Sequence, residues 1–280
     1  MSFPFRNIAP LFLSLALALL AACSYCSPGD PQPDPRVRNP NGSGDVVSPG
    51  DTGAPVHGYS IVATYPHDRA SYTQGLIIHE GVLYESTGRY QESYLMTVDM
   101  QTGKALLRHR LEPMYFGEGI AIWKGLLVQI TWKEGVAFIY DRRNFQEQYR
   151  LTYSGEGWGL CYDGQRLVRS DGTDRLRFHD PADMSELGGV DVTRDGAPVT
   201  GLNELECVEG RVWANMWPTD TIVRIDPGDG AVDLVVDAAA LRERGIPPSA
   251  QVLNGIAHLN GDEFLVTGKD WPTMFRVRLG

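Results

Sequence analysis

From about residue 57 onward, short apolar runs alternate with polar turns, and five of these runs open alike. They begin Gln74-Gly75-Leu76-Ile77-Ile78, Glu118-Gly119-Ile120-Ala121-Ile122, Trp158-Gly159-Leu160-Cys161, Asn203-Glu204-Leu205-Glu206-Cys207 and Asn254-Gly255-Ile256-Ala257. Each run meets a turn ending in glycine, at Gly81, Gly125, Gly164, Gly210 and Gly261, and a second apolar run follows, such as Leu126 to Ile130 or Val212 to Met216. Runs this short, bounded by turn residues, read as strands rather than helices. Third and fourth runs complete most copies, and the copies recur roughly every 40 to 50 residues, the spacing of four-stranded propeller blades.

The last copy stops after its third run, Thr273 to Leu279, while Tyr59 to Tyr65 precedes the first copy without a repeat of its own. Pairing that first strand with the last sheet closes the ring and hides two edges. The pattern therefore predicts an all-β, five-bladed β-propeller of four-stranded antiparallel blades, closed by the N-terminal strand, over residues 57–280. One helical stretch, Ala238 to Arg244, is expected between the fourth and fifth blades, ahead of Gly245 and Pro247.

The chain before residue 57 follows other rules. A single positive charge, an apolar run from Leu11 to Leu20 and the small residues Ala21-Ala22 before Cys23 read as an export signal over residues 1–22. The arrangement resembles the bacterial lipoprotein processing box, with Cys23 as the lipidated residue; the alternative is an ordinary secretory signal that contains a cysteine. Ser24 carries no acidic retention signal, so the expected location is the periplasmic face of the outer membrane. Residues 23–56 are rich in Pro, Gly, Asp and Ser and poor in large apolar side chains, a composition that reads as a disordered tether.

Acidic residues number 35 against 25 Lys plus Arg, a net charge of −10. With no basic cluster, nucleic acid is not an expected partner, and the membrane is reached only through the lipid. A monomer is expected. Of the four cysteines, Cys161 and Cys207 stand at related positions in successive repeats. Export permits a disulfide between them, but strand-borne cysteines are more often buried thiols, and two thiols are the expectation.

Reading the repeats by column gives the chemistry. The first strand of each blade lines a propeller's channel, so Gln74, Glu118, Trp158, Asn203 and Asn254 face one another at its mouth. A second tier follows the second strands at Thr131-Trp132, Met216-Trp217 and Thr267-Gly268-Lys269. Singly, each of these has a structural explanation: tryptophans pack between blades, and Glu or Asn cap turns. Their coincidence at equivalent positions points to a binding site.

At this point the residues resemble the plant-type glutaminyl cyclases, or glutaminyl-peptide cyclotransferases, and their bacterial relatives. The matching segments run in order through the whole body: Tyr72-Thr73-Gln74-Gly75-Leu76, Phe116-Gly117-Glu118-Gly119, Gln129-Ile130-Thr131-Trp132, Glu156-Gly157-Trp158-Gly159, Leu202-Asn203-Glu204-Leu205-Glu206, Ala214-Asn215-Met216-Trp217, Leu253-Asn254-Gly255 and Thr267-Gly268-Lys269. Tyr72, where Phe is usual, is a mild departure. The resemblance implies a five-bladed propeller that converts N-terminal glutamine to pyroglutamate with loss of ammonia. It implies Glu118 as the general acid/base, Gln74, Phe116, Trp132, Trp158, Asn203, Trp217 and Lys269 as the substrate pocket, and Glu206 as a candidate for holding the amino end.

That chemistry suits the residue types. One carboxylate can take a proton from an attacking amine and return it to a departing nitrogen. An apolar surround is expected to raise the Glu118 pKa, and Gln74, Asn203 or Lys269 are the candidate oxyanion donors. The six scattered histidines do not form a zinc site, and no metal or cofactor is expected. Two other readings stay open. Glu118, Asn203 and Asn254 are hard oxygen ligands around one axis, as in a calcium-dependent propeller hydrolase or lactonase. A tethered propeller that binds peptides without catalysis is the other.

Overall fold

Alternation along each repeat becomes a four-stranded antiparallel blade in the computed structural model, which describes residues 54–280. The signal segment, Cys23 and all but the last residues of the tether lie outside the described residues. Blade 1 comprises Thr73–His79, Val82–Thr87, Tyr94–Asp99 and Lys104–Arg110; blade 2 comprises Gly117–Trp123, Leu126–Thr131, Val136–Asp141 and Glu147–Thr152. Blade 3 is built from Leu160–Tyr162, Leu167–Arg169, Arg175–His179 and Glu186–Asp191, and blade 4 from Leu202–Val208, Arg211–Met216, Thr221–Ile225 and Val232–Asp237. In blade 5 the chain's own strands are Leu253–Asn260, Glu263–Gly268 and Thr273–Leu279, and Tyr59–Pro66 supplies the outer strand by antiparallel pairing with Thr273–Leu279. This is the closure that the unmatched first run predicts.

Burial explains why inner strands read as continuous apolar runs. Gly117 to Ile122 are all buried, whereas the outer strand Lys104–Arg110 is mostly exposed. Between blades 4 and 5, Trp213, Phe264, Trp271 and Phe275 pack into one core. Full burial of Phe264 and Phe275 contributes roughly 1.5–3 kcal/mol each. The ring is also tied at its seam by His67, just after the closing strand: its Nδ1 lies 2.7 Å from the Trp271 carbonyl and its Nε2 3.0 Å from Glu85 Oε1 of blade 1.

The inner strands nearly touch at the hub. A Cβ added at Gly119 would overlap the Leu160 nitrogen, and one at Gly159 would overlap the Asn203 carbonyl oxygen, so both positions require glycine. Blade 4 breaks this column with Glu204. Its carboxylate accepts the Leu76 amide at 3.2 Å and the Ile256 amide at 2.8 Å, so one side chain spans from blade 4 to the inner strands of blades 1 and 5.

Three features depart from the sequence expectation or add to it. Cys161 and Cys207 are not two thiols but a disulfide, with Cα atoms 5.5 Å apart, inside the range a bridge needs. Cys161 lies three residues after Trp158, and Cys207 four after Asn203. The two side chains meet between the inner strands of blades 3 and 4 despite this one-residue offset. Val56–His57 adds a short parallel strand to the outer edge of blade 4, and a small hairpin, Thr193–Arg194 with Ala197–Pro198, links blades 3 and 4. The expected helical stretch is a 3-10 helix, Ala239–Glu243.

Candidate active site

The register of the inner strands shifts at the same place in four of the five blades. The irregular steps lie between Thr73 and Gly75, Gly117 and Ile120, Leu202 and Leu205, and Leu253 and Ile256. Within them sit Gln74, Glu118, Asn203 and Asn254. A bulge lifts a residue out of the pleat and re-aims its side chain, which turns these residues toward the channel mouth instead of into the blade. All four are buried, Glu118 with 2 % of its surface exposed. The blade 3 strand starts only at Leu160, so Trp158 reaches the mouth from the loop ahead of it.

Three of these side chains form one hydrogen-bonded chain across three blades. Asn254 donates its amide to the Thr73 carbonyl at 2.9 Å and to Gln74 Oε1 at 3.1 Å; Gln74 Nε2 in turn donates to Glu118 Oε1 at 3.1 Å. Asn254 thereby fixes which end of the Gln74 amide faces the carboxylate. The buried Oδ1 atoms of Asn203 and Asn254 have no hydrogen-bond partner among the described residues, and such atoms are costly unless something occupies them.

Aromatic side chains cluster on the segments around the Glu118 strand. Phe116 and Trp132 lie 5.4 Å apart between ring centroids, Tyr72 meets Phe116 edge-on at 6.3 Å, and Trp158 meets Trp217 edge-on at 5.8 Å. The Lys269 ammonium, fully buried, sits 4.8 Å from the centre of the Tyr72 ring. Arg89 covers the same ring at 4.6 Å and is held there by both carboxylate oxygens of Asp270, at 2.8 and 2.9 Å. Backbone bonds clamp the walls together: Trp132 N–H to the Phe116 carbonyl at 3.0 Å, Gly119 N–H to the Trp158 carbonyl at 2.8 Å, and Trp217 N–H to the Gly201 carbonyl at 2.7 Å.

Of the expected site residues, Gln74, Glu118 and Asn203 sit at the bulges of the inner strands, Phe116, Trp132, Trp158 and Trp217 make the ring contacts above, and Lys269 lies over Tyr72. Glu206 lies three residues beyond Asn203 along the inner strand and accepts the His258 amide at 2.9 Å. Burial pushes its carboxyl up to about 8, against the lowering effect of that amide. Glu204 beside it is raised well above the usual carboxylate range, first by burial and then by the nearby Glu206.

The sequence reading gives no role to Tyr72, Glu156 or Glu204. Glu204 announces itself as the one break in the glycine column. Glu156 leaves no local signal, because its partners come from two blades. Among the described residues, no group of three or more His, Cys, Asp or Glu side chains is arranged to hold a metal ion.

A five-bladed propeller with a single mouth carboxylate set among amides and aromatic walls defines a class of small-molecule or peptide-end sites. Residues 41–279 match the glutamine cyclotransferase family. The chain is 38% identical over 226 residues to the glutaminyl-peptide cyclotransferase of Arabidopsis thaliana, covering 78% of this chain and 70% of that protein. It also superposes on the crystal structure of Myxococcus xanthus glutaminyl cyclase with a TM-score of 0.74 at 40% identity, over 79% of this chain and 96% of that one. The chain belongs to the glutamine cyclotransferase family.

Proposed function

We propose that this chain converts the N-terminal glutamine of peptides or proteins into pyroglutamate and releases ammonia, with Glu118 carrying the proton. The observation that supports this reading most is the Gln74–Glu118 hydrogen bond: a buried carboxylate is held by one oxygen beside an aromatic wall that suits a folded glutamine side chain. The neutral α-amine attacks the γ-carboxamide carbon; a C–N bond forms and the carbonyl electron pair moves to oxygen. Glu118 accepts the proton leaving the amine and delivers it to the amide nitrogen. The carbonyl then re-forms, the second C–N bond breaks and ammonia departs.

Lys269 and the Asn203 amide nitrogen serve as donors to the developing oxyanion, and the unpartnered Asn203 Oδ1 accepts from the substrate amine. Gln74 acts instead on Glu118, since its amide already donates to that carboxylate. The aromatic wall holds the glutamine side chain curled toward its own amine. This arrangement lowers the barrier by several kcal/mol, on the order of effects in intramolecular reactions. A calcium-dependent hydrolase is the weaker fit, because two of the oxygens a cation would need, Gln74 Oε1 and Glu118 Oε1, already accept from neighbouring amides.

The enzyme is further proposed to work as a monomer tethered by lipid on Cys23 to the periplasmic face of the outer membrane. Mass measurement of the mature N-terminus checks the anchor: a diacylated Cys23 fits, and an unmodified terminus elsewhere contradicts it. The activity itself is checked by mass spectrometry on a glutaminyl dipeptide, where loss of one ammonia per molecule is expected and an unchanged peptide refutes the proposal.

A further inference from the structure

One carboxylate oxygen, Oε2 of Glu156, accepts the indole N–H of Trp132 at 2.7 Å and that of Trp158 at 3.0 Å. The two tryptophans come from different blades, Trp132 following the second strand of blade 2 and Trp158 preceding the inner strand of blade 3. An indole has one donor, in the plane of the ring, and holding that donor holds the edge of the ring that carries it. We propose that Glu156 is a positioning residue for substrate binding, which sets the orientation of both tryptophan walls through this shared oxygen. The proposal rests on the reading that Trp132 and Trp158 line the glutamine pocket.

The loop that carries Glu156 is built to hold it still. Arg169, fully buried within blade 3, donates to the Ser154 carbonyl at 3.0 Å and also to the Glu156 carbonyl, while its Nε lies 3.1 Å from His179 Nε2. Its guanidinium also covers the Tyr153 ring at 4.7 Å, and the Tyr153 hydroxyl donates to the Thr131 carbonyl, next to Trp132. Gly157 N–H donates to the Trp132 carbonyl at 2.8 Å, and a Cβ at Gly157 would lie 2.8 Å from the Thr131 carbonyl oxygen. A buried cation holding two main-chain carbonyls is costly to desolvate, and here it anchors the segment from beneath.

The upper side of Glu156 is different. Its side chain is 41% exposed, and Lys133 approaches its Oε1 at 4.0 Å while covering the Trp132 ring at 3.8 Å. Trp132 is thus set by Phe116, by Lys133 and by Glu156, whereas Trp158 is set by Trp217 and Glu156. Removing the carboxylate releases both rings at once and leaves the backbone anchor intact. The effect falls on binding of the glutamine side chain rather than on the proton transfer at Glu118.

The test compares Glu156→Ala with Glu156→Gln, which keeps one acceptor oxygen and removes the charge. With a glutaminyl dipeptide, E156A is expected to raise KM about tenfold, the scale of one lost charge-assisted hydrogen bond, with kcat within about threefold of wild type. E156Q is expected to keep KM within about threefold of wild type. In proton–nitrogen correlation spectra, E156A shifts two indole resonances, assigned to Trp132 and Trp158 through Trp→Phe variants, and speeds their exchange with water; E156Q leaves exchange slow. Indole resonances unmoved in E156A overturn the proposal even if the dipeptide is never cyclised, a result that would separately refute the cyclase reading. With cyclisation present, a KM unchanged in E156A, or raised equally in E156Q, also overturns it.

Discussion

Gln74 Nε2 donates to Glu118 Oε1 across 3.1 Å, joining blade 1 to blade 2 at the channel mouth. The bond exists because two bulges turn neighbouring inner strands toward each other, and because Asn254 holds the Gln74 amide from the other side. Glu118 is thereby held by a neighbouring side chain, an orientation that the proposed acid/base role requires.

Gln74→Ala is expected to lower kcat about tenfold or more, the usual scale for a displaced proton-transfer group, while KM changes less. Steady-state ammonia release measures both constants. An effect confined to KM would mean that Gln74 contacts the substrate and does not orient Glu118.

Stability should fall as the medium becomes more alkaline. The Glu206 carboxyl is raised to about 8 in the folded chain, against about 4.3 in an unfolded one. The folded state therefore binds more protons between those values. Its contribution is fully present below about pH 4 and is lost progressively as pH rises to about 8. Denaturant midpoints between about pH 5 and 8 should decline in wild type and decline less steeply in Glu206→Gln, where the buried Glu204 still contributes. Equal slopes in the two proteins would contradict the burial argument.

The Cys161–Cys207 disulfide spans 46 residues of sequence. In the chain-entropy account, closing a loop of that length stabilises the fold by about 4 kcal/mol. Cys161→Ser with Cys207→Ser, followed by denaturant unfolding, should reveal a loss of a few kcal/mol with the blades otherwise intact. An unchanged midpoint would show that the bridge adds nothing to the two inner strands it joins.

Glu204 replaces a hub glycine and satisfies two buried amides. Glu204→Ala leaves the Leu76 and Ile256 amides without that acceptor, at about 1–3 kcal/mol each, and thermal unfolding reads the loss. Glu204→Gln, which keeps an acceptor oxygen, should lose less. A melting temperature unaffected by Glu204→Ala would mean that this side chain does not tie the three blades together.

Much of this was legible in the amino-acid sequence, and the reason is local. The second strands show as runs such as Leu126 to Ile130 because both their faces are covered, and the outer strand missing from the last repeat identifies Tyr59 to Tyr65 as the closing strand. The mouth column of Gln74, Glu118, Asn203 and Asn254 could be read because the repeats align. What escaped is non-local. That Cys161 meets Cys207, one residue off the repeat alignment, cannot be seen in either strand alone. Glu156 takes its meaning from two indoles brought together by blade packing, and Arg169 from carbonyls of a loop above it. Glu206 takes its backbone partner from the neighbouring blade, at His258, which its own strand does not announce.

The most direct test sets wild type beside Glu118→Gln on a glutaminyl dipeptide, following ammonia release. The substituted carboxamide fills nearly the same space as the carboxylate, so folding, judged by an unchanged melting curve, should persist while the proton relay is gone. A fall in kcat of about a hundredfold or more is expected, within the range for loss of a general acid/base. Ammonia release by Glu118→Gln at the wild-type rate would contradict the role assigned to this carboxylate.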